Sequence, residues 1–331
     1  MSRNQHRRSI QPKYASISTA GNACGLWVEA FYIALNLMTP YLQQKIIGHA
    51  PKLPINEELF EELAVARTAL TAAFELEESY DLLLGNYVEV ERELLTASAS
   101  NAIRNLNDYQ DFFELRSTIN RRVVNLLTAT RLYLDQAPQR LADCAADPAK
   151  ARSEFKLRTR EHYDKFFSYR FLEALRNHVQ HCGLAVHSVT QGVKRVSEGL
   201  EVSVQPYAEQ RYLAVDGGFK SKILDEMPAK VLLTLAMREY LQCIGDLHML
   251  VRSHIADHVL KARQLVGAQI SRYATENNGE TTGLSAFKLN PQGQVESIAM
   301  FLDWDDIREK LALRNSGLTA LSRHFVTGRA S

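Results

Sequence analysis

The sequence predicts a mainly α-helical protein, a helical bundle with a small β-hairpin insertion. Two observations support this fold class. Apolar residues recur with the period of an α-helix, about 3.6 residues, over the stretches 54–96 and 100–142, and helix is predicted again from Pro228 to Tyr273. Strand-like alternation is confined to a short region, about 184–219, which ends near the turn signal Gly217-Gly218.

The ends of the predicted helices carry recognisable signals. Asn56 is a cap for the first helix, and the acidic residues Glu57 and Glu58 suit its first turn. The second helix is expected to break at Gln136-Ala-Pro138, because proline lacks the N–H that a helix interior needs. A third helical block follows from about 149 to 181.

The carboxy-terminal part of the chain predicts smaller elements. A polar linker leads to a hairpin around Asn290-Pro-Gln-Gly293 and then to a short helix, Asp303 to Arg314. We therefore expect three regions: an N-terminal helical region (1–96), a helical core (97–273) with the β insertion at about 184–219, and a small C-terminal appendage (274–331).

An apolar run near the N-terminus, Leu26 to Met38, is interrupted by Glu29 and Asn36 and ended by Pro40. It is too short and too polar to span a bilayer. We expect a buried amphipathic helix there and no membrane partner.

Composition limits the classes of partner. The 331-residue chain carries a net charge of +1, which excludes a strongly basic protein that coats nucleic acid, so any RNA contact must use a local patch. Between Asn56 and Glu93, eleven acidic residues stand against two basic ones, which predicts a solvated acidic face or, alternatively, a partner-binding surface. The block 149–181 has eight basic residues and four acidic ones, interleaved with aromatic residues.

Cysteine and histidine spacing predicts neither a disulfide framework nor a metal site. The four cysteines are far apart and form no C-x-x-C pair, so a reducing cytoplasm is the expected location. His254 and His258 have the i, i+4 spacing of helix-borne zinc ligands, but spacing fixes no third ligand. We expect no metal and no cofactor.

One segment, Arg176-Asn177-His178-Val179-Gln180-His181, combines a permanent cation, a carboxamide and titratable imidazoles. An arginine and an imidazole are the minimum set for cutting a phosphodiester without a metal. On an ideal helix Asn177 and His181 share a face. Arg176 lies about 140° from His181 around the helix, and its long side chain can swing towards that face.

The segment from Tyr169 to His181 resembles the signature helix of the HEPN superfamily. In that family Arg, four to six residues and then His mark a ribonuclease active site, often with a polar residue directly after the Arg. Here the spacer is four residues and the polar residue is Asn177. A second segment, Arg252 to His258, fits the looser spacing but lacks the amide. The resemblance implies a HEPN-like four-helix core within residues 97–273.

The resemblance also implies an activity, a metal-independent endoribonuclease. It would act as a homodimer with a composite Arg/His site and leave 2′,3′-cyclic phosphate ends. A toxin or anti-phage defence effector, regulated by an antitoxin or another protein, is the setting that the family suggests.

The residue roles follow from charge. His181 would act as general base or acid, Arg176 would stabilise charge on the phosphoryl oxygens, and Asn177 would orient His181 or bind phosphate. The candidates for substrate binding are the basic side chains His178, Arg170, Lys165 and Arg121. Two alternatives remain open: a non-catalytic helical protein that dimerises or binds a partner, and a nucleotide-sensing module.

Overall fold

The computed structural model describes residues 39–104, 108–197, 199–215, 218–290 and 292–317. The helices in these ranges are α1 (Glu57–Ile103), α2 (Tyr109–Cys144), α3 (Pro148–Lys165), α4 (Phe167–His181), α5 (Gln210–Val215), α6 (Ser221–Glu226), α7 (Leu233–Glu276) and α8 (Asp303–Arg314). The strands are β1 (Tyr41–Gln44), β2 (Leu53–Pro54), β3 (Ser188–Val196), β4 (Gly199–Glu209), β5 (Lys230–Leu232), β6 (Leu284–Leu289) and β7 (Val295–Ala299). The predicted helix at 26–38 lies outside these ranges.

The described part of the chain is mainly helical, as predicted, with two small antiparallel sheets. The long helix α1 packs along α2 and also against α7 and α8, while α3 and α4 pack on α7. One apolar core joins these helices; Leu63, Leu126, Leu172 and Leu247 are each fully buried. No helix in the described ranges has the length and apolar character needed to cross a bilayer.

The first sheet, of order β3-β4-β5, follows α4 directly. The predicted hairpin is confirmed as β3 and β4, paired from Ser188–Tyr207 to Val196–Gly199. The stretch from Arg211 to Val215, which lies within the region 184–219 where strands were expected, is instead part of the short helix α5.

The second sheet, of order β2-β1-β6-β7, joins the two ends of the described chain. Tyr41 of β1 pairs with Phe287 of β6. The hairpin predicted around Asn290 to Gly293 and the helix predicted at Asp303–Arg314 are both present, as β6–β7 and α8.

Two of the predicted helix ends are wrong, and core packing explains the first. Pro138 lies inside α2, which continues to Cys144. Ala137 and Leu141 flank it on the core side, with 1% and 0% exposure, so tertiary packing supports a turn that proline alone would break. The block 149–181 is divided at Phe166, which ends α3 and begins α4.

The region boundary expected between residues 96 and 97 falls inside α1, which runs without a break to Ile103. Its start is as predicted: the Asn56 side-chain oxygen accepts a hydrogen bond from the Leu59 N–H at 2.9 Å. The sheet formed by β1 and β6 also joins chain segments that were assigned to the first and the third region.

Most carboxylates in the acidic stretch of α1 are paired within the molecule, and several of the paired ones, such as Glu57 and Glu61, are still exposed to solvent as predicted. Most of its carboxylates pair with basic side chains of other elements: Glu57 and Glu61 with Lys288, Glu75 with Arg140, Glu77 with Arg252, Asp81 with Arg314, Glu89 with Arg122, and Glu91 with Arg238. Local charge in the sequence therefore overstated the charge available to a partner.

A buried polar cluster lies between α1, α2 and α7. The Arg252 guanidinium donates to both Glu77 carboxylate oxygens, at 2.8 and 2.6 Å. His248 Nε2 lies 3.3 Å from that carboxylate, and its Nδ1 lies 2.9 Å from the Tyr133 hydroxyl. Burial alone would raise the pKa of the Glu77 carboxyl, but the hydrogen bonds from Arg252 and His248 lower it to about 2. Arg252, the arginine of the second Arg–His segment, thus belongs to the core.

Candidate functional site at the end of helix α4

Helix α4 has one apolar face and one solvent face. Its apolar face buries Tyr169, Phe171, Leu172 and Leu175, each at most 1% exposed. Because the helix turns by about 100° per residue, these side chains leave Asn177 and His181 on the other side, and both are exposed. The helical spacing thus separates a core face from a face that a substrate can reach.

Arg176 is half-buried beside these two residues. Its Nη1 donates to the Asn177 side-chain oxygen at 3.0 Å, and its buried Nε has no hydrogen-bond partner. Within the described ranges no carboxylate lies within 4.0 Å of it, whereas Arg252 is held by Glu77. An arginine that is partly desolvated and has no acidic partner attracts an anion.

The end of α4 exposes His181 in its last turn. The Cys182 and Gly183 N–H groups both donate to the His178 carbonyl, at 2.7 and 3.2 Å, and close the helix immediately after His181. The exposed imidazole therefore lies on a regular helix, one helical turn beyond Asn177 and on the same face. The structure gives no direct hydrogen bond between His181 and either of them in the described part of the chain.

The segment that follows His181 is fixed to α2 by Asn120. The Asn120 side-chain oxygen accepts from the backbone N–H groups of Ala185 and Val186, at 2.9 and 3.1 Å. Both of those residues are fully buried. This contact brings α2 next to the chain just beyond the motif, and Arg121 is the residue after Asn120.

Replacing Asn120 with alanine is expected to destabilise the fold by about 2 kcal/mol or more, because two buried N–H groups lose their acceptor. Urea denaturation measures the loss, and amide exchange is expected to accelerate at Ala185 and Val186. The matched control is Asn86→Ala, since Asn86 donates only to the Leu82 carbonyl on an exposed helix surface. Equal free energies of unfolding for the two variants would contradict a stabilising role for the Asn120 hydrogen bonds.

The structure separates the four candidates for substrate binding. His178 is 1% exposed and its ring contacts Phe219, so burial argues against the predicted substrate contact. Arg170 donates to Glu226 and to the Tyr163 and Asp164 carbonyls, so its role is to link α4 to α3 and α6. Lys165 and Arg121 are exposed and remain candidates.

Sequence reasoning missed a cleft of about 410 Å³ between α3 and α7. Asp246 of α7 accepts from Arg158 at 2.6 Å and lies 3.0 Å from His162 Nε2, both on α3. Lys165, one of the candidates above, also lines it. The i, i+4 spacing of Arg158 and His162 was visible in the sequence, but their partner Asp246 lies 88 and 84 residues further along the chain.

Two groups of this cleft are uncharged at neutral pH. Burial lowers the pKa of His162, although the hydrogen bond to Asp246 opposes that shift. Burial raises the pKa of the Cys243 thiol to about 12, so Cys243 is protonated and unsuited to act as a nucleophile.

The other histidines considered in the sequence lie elsewhere. His254 Nε2 is 3.0 Å from a Glu154 carboxylate oxygen. No group of three or more metal-binding side chains is found among the described residues. Comparisons of the chain with known protein families, with curated proteins and with solved structures find no match.

Proposed function

We propose that the protein is a metal-independent endoribonuclease whose site is the exposed end of α4, formed by Arg176, Asn177 and His181. The observation that carries the proposal is the state of Arg176: it is half-buried, bonded to the exposed Asn177 carboxamide and without a carboxylate partner in the described ranges. The exposed His181 imidazole follows Asn177 by one helical turn. The resemblance of this helix to the HEPN signature supports the same activity.

The proposed reaction uses the 2′-hydroxyl of the RNA itself. An imidazole takes the 2′-OH proton while O2′ attacks the adjacent phosphorus, and the bond from phosphorus to the 5′-oxygen breaks. A second proton-transfer group protonates that leaving oxygen. The Arg176 guanidinium stabilises the charge that grows on the non-bridging oxygens, and Asn177 holds Arg176 in place through their hydrogen bond.

A homodimer supplies the second proton-transfer group in this proposal. Each chain offers one exposed imidazole at the end of α4, because His178 is buried. Two copies that bring their α4 ends together supply one imidazole as base and one as acid. Light scattering is expected to give twice the mass of the 331-residue chain.

A basic stripe on α3 supports RNA as the substrate. Arg152, Lys156 and Arg160 are exposed at i, i+4 spacing, and no carboxylate lies within 4.0 Å of them in the described part of the molecule. Phosphate contacts from such side chains supply sequence-independent affinity. This is the local patch that the near-neutral composition requires.

The purified protein is expected to cleave single-stranded RNA in the presence of EDTA and to leave DNA of the same sequence intact, because DNA lacks the 2′-hydroxyl. Gel electrophoresis of labelled oligonucleotides measures both. Cleavage of the DNA, or cleavage of RNA only after Mg²⁺ is added, would contradict the proposed chemistry. Absence of any cleavage would favour the non-catalytic interaction protein.

A further inference from the structure

The cleft between α3 and α7 combines one bonded group with several side chains that make no hydrogen bond. Asp246 accepts from Arg158 and lies 3.0 Å from His162 Nε2. Lys165, Glu239 and Gln242 line the same cleft and make no hydrogen bond or ion pair in the described part of the chain, and the Lys165 ammonium lies over the Phe166 ring. The cleft thus offers a carboxylate and an amide to a ligand, with an ammonium beside them.

The charge of the cleft limits that ligand. Two cations, Arg158 and Lys165, stand against three carboxylates, Glu161, Glu239 and Asp246, and His162 is neutral, so the lining has a net charge of −1. A bare anion such as inorganic phosphate is therefore disfavoured. A ligand with N–H donors for the carboxylate, and an acceptor for the ammonium or the amide, fits better.

An aromatic surface lies beside these groups. The Phe166 ring lines the cleft, and the Lys165 ammonium is 5.0 Å from its centre. A flat ring stacks on Phe166 when the exposed, flexible Lys165 side chain swings aside, and stacking on an aromatic side chain contributes about 1–3 kcal/mol per base in single-strand binding. A volume of about 410 Å³ is sufficient for one nucleotide.

We propose that this cleft binds a guanine base of single-stranded RNA, with Glu239 accepting from the N1–H and N2–H₂ edge. Guanine presents two adjacent donors, which match the two oxygens of a carboxylate. Adenine and cytosine each place an acceptor beside their amino group, and uracil has one N–H between two carbonyls, so all three oppose the carboxylate. Gln242 or Lys165 donates to the guanine O6.

The position of the cleft relative to the end of α4 suits a bound strand. Arg170 of α4 donates to the Tyr163 and Asp164 carbonyls, so this face of α4 lies against the end of α3. Asn177 follows Arg170 by seven residues and is within about 20° of the same direction. From Phe166 to His181 the helix rises by about 20 Å, a length that a few nucleotides span.

A guanine site in this cleft rests on the proposed ribonuclease function and names the base that the substrate carries. Binding is measured by calorimetry with the His181→Ala protein, so that cleavage does not interfere. The probes are GMP, AMP, CMP, UMP and inorganic phosphate, followed by an eight-nucleotide RNA with and without guanine. GMP is expected to bind at least about tenfold more tightly than the other probes.

The discriminating variant is Glu239→Gln, which keeps the shape but replaces one acceptor with a donor. It is expected to weaken GMP binding by about tenfold or more and to abolish the preference for guanine. The control, Glu58→Gln, changes an exposed carboxylate on α1 and is expected to leave binding unchanged. Equal binding of all four nucleotides, or of wild type and Glu239→Gln, would overturn the proposal.

Different results would reject the ribonuclease site at the end of α4 and the guanine site in the cleft. RNA cleavage that is unaffected by Glu239→Gln, with no GMP binding, leaves the α4 site standing and removes the guanine cleft. GMP binding that Glu239→Gln abolishes, without any RNA cleavage by wild type, supports the cleft and makes free guanine nucleotide its ligand. In that case the ribonuclease proposal is rejected.

Discussion

Replacing His181 with alanine is expected to slow RNA cleavage by about 100-fold to 10,000-fold, the range that loss of a proton-transfer group produces. His181 is exposed and makes no side-chain hydrogen bond in the described part of the chain. The free energy of unfolding of the variant is therefore expected to differ from that of the wild type by less than about 0.5 kcal/mol. Initial rates in EDTA measure the activity, and thermal denaturation checks the fold.

The control for this variant is His49→Ala. His49 is also exposed but lies between β1 and β2, and its loss is expected to leave the rate unchanged. Arg176→Lys retains the charge but loses the planar fork of donors, and it is expected to slow cleavage while keeping RNA affinity. Full activity of the His181→Ala protein would remove His181 from the mechanism.

Replacing Arg252 with methionine is expected to destabilise the protein by about 3–5 kcal/mol at neutral pH, because Glu77 then stays buried and charged without its main partner. Glu77 is 3% exposed, and the hydrogen bonds from Arg252 and His248 hold its pKa at about 2. Urea denaturation measures the effect. Arg92→Met, on the exposed side of α1, is the control and is expected to have little effect.

The same variant predicts a pH dependence. In the wild type, folding lowers the pKa of Glu77. The ionised carboxylate therefore stabilises the fold at pH values above its pKa in the unfolded chain, and this stabilisation is lost as the pH falls towards about 2. Without Arg252, burial raises the pKa of this carboxyl, and protonation relieves the unpaired charge. The difference in free energy of unfolding between wild type and Arg252→Met is therefore expected to be smaller at pH 5 than at pH 7.

The double variant Glu77→Gln with Arg252→Met is expected to recover part of the loss, since neither charge is then left alone in the core. A loss equal to that of Arg252→Met alone would show that the arginine acts through its other contacts. One such contact is its hydrogen bond to the Asn315 carbonyl at 3.0 Å.

Local signals in the sequence predicted the elements that local physics controls. The Asn56 cap, the hairpin at 290–293 and the helix Asp303–Arg314 depend on a few neighbouring residues, and all three are confirmed. The pairing of Tyr41 with Phe287 was not predictable, because short strands far apart in sequence carry no local mark of each other. Pro138 was misread because core packing outweighs its local preference.

The candidate site divides in the same way. Helical spacing predicted that Asn177 and His181 share a face, and both are exposed. Helical spacing did not show that Arg252 is paired with a carboxylate whereas Arg176 is not, because the partner of Arg252 is Glu77, 175 residues away in the chain. The cleft between α3 and α7 was missed for the same reason: Asp246 meets Arg158 and His162 only in the folded molecule.

The ends of the cleaved RNA test the central claim most directly. Single-stranded RNA is incubated with the protein in EDTA, and the products are analysed by mass spectrometry. Attack by the 2′-hydroxyl, assisted by His181 and Arg176, predicts 2′,3′-cyclic phosphate on one fragment and a free 5′-hydroxyl on the other. Products with a 5′-phosphate and a free 3′-hydroxyl would mean that water attacks instead, and would contradict the account.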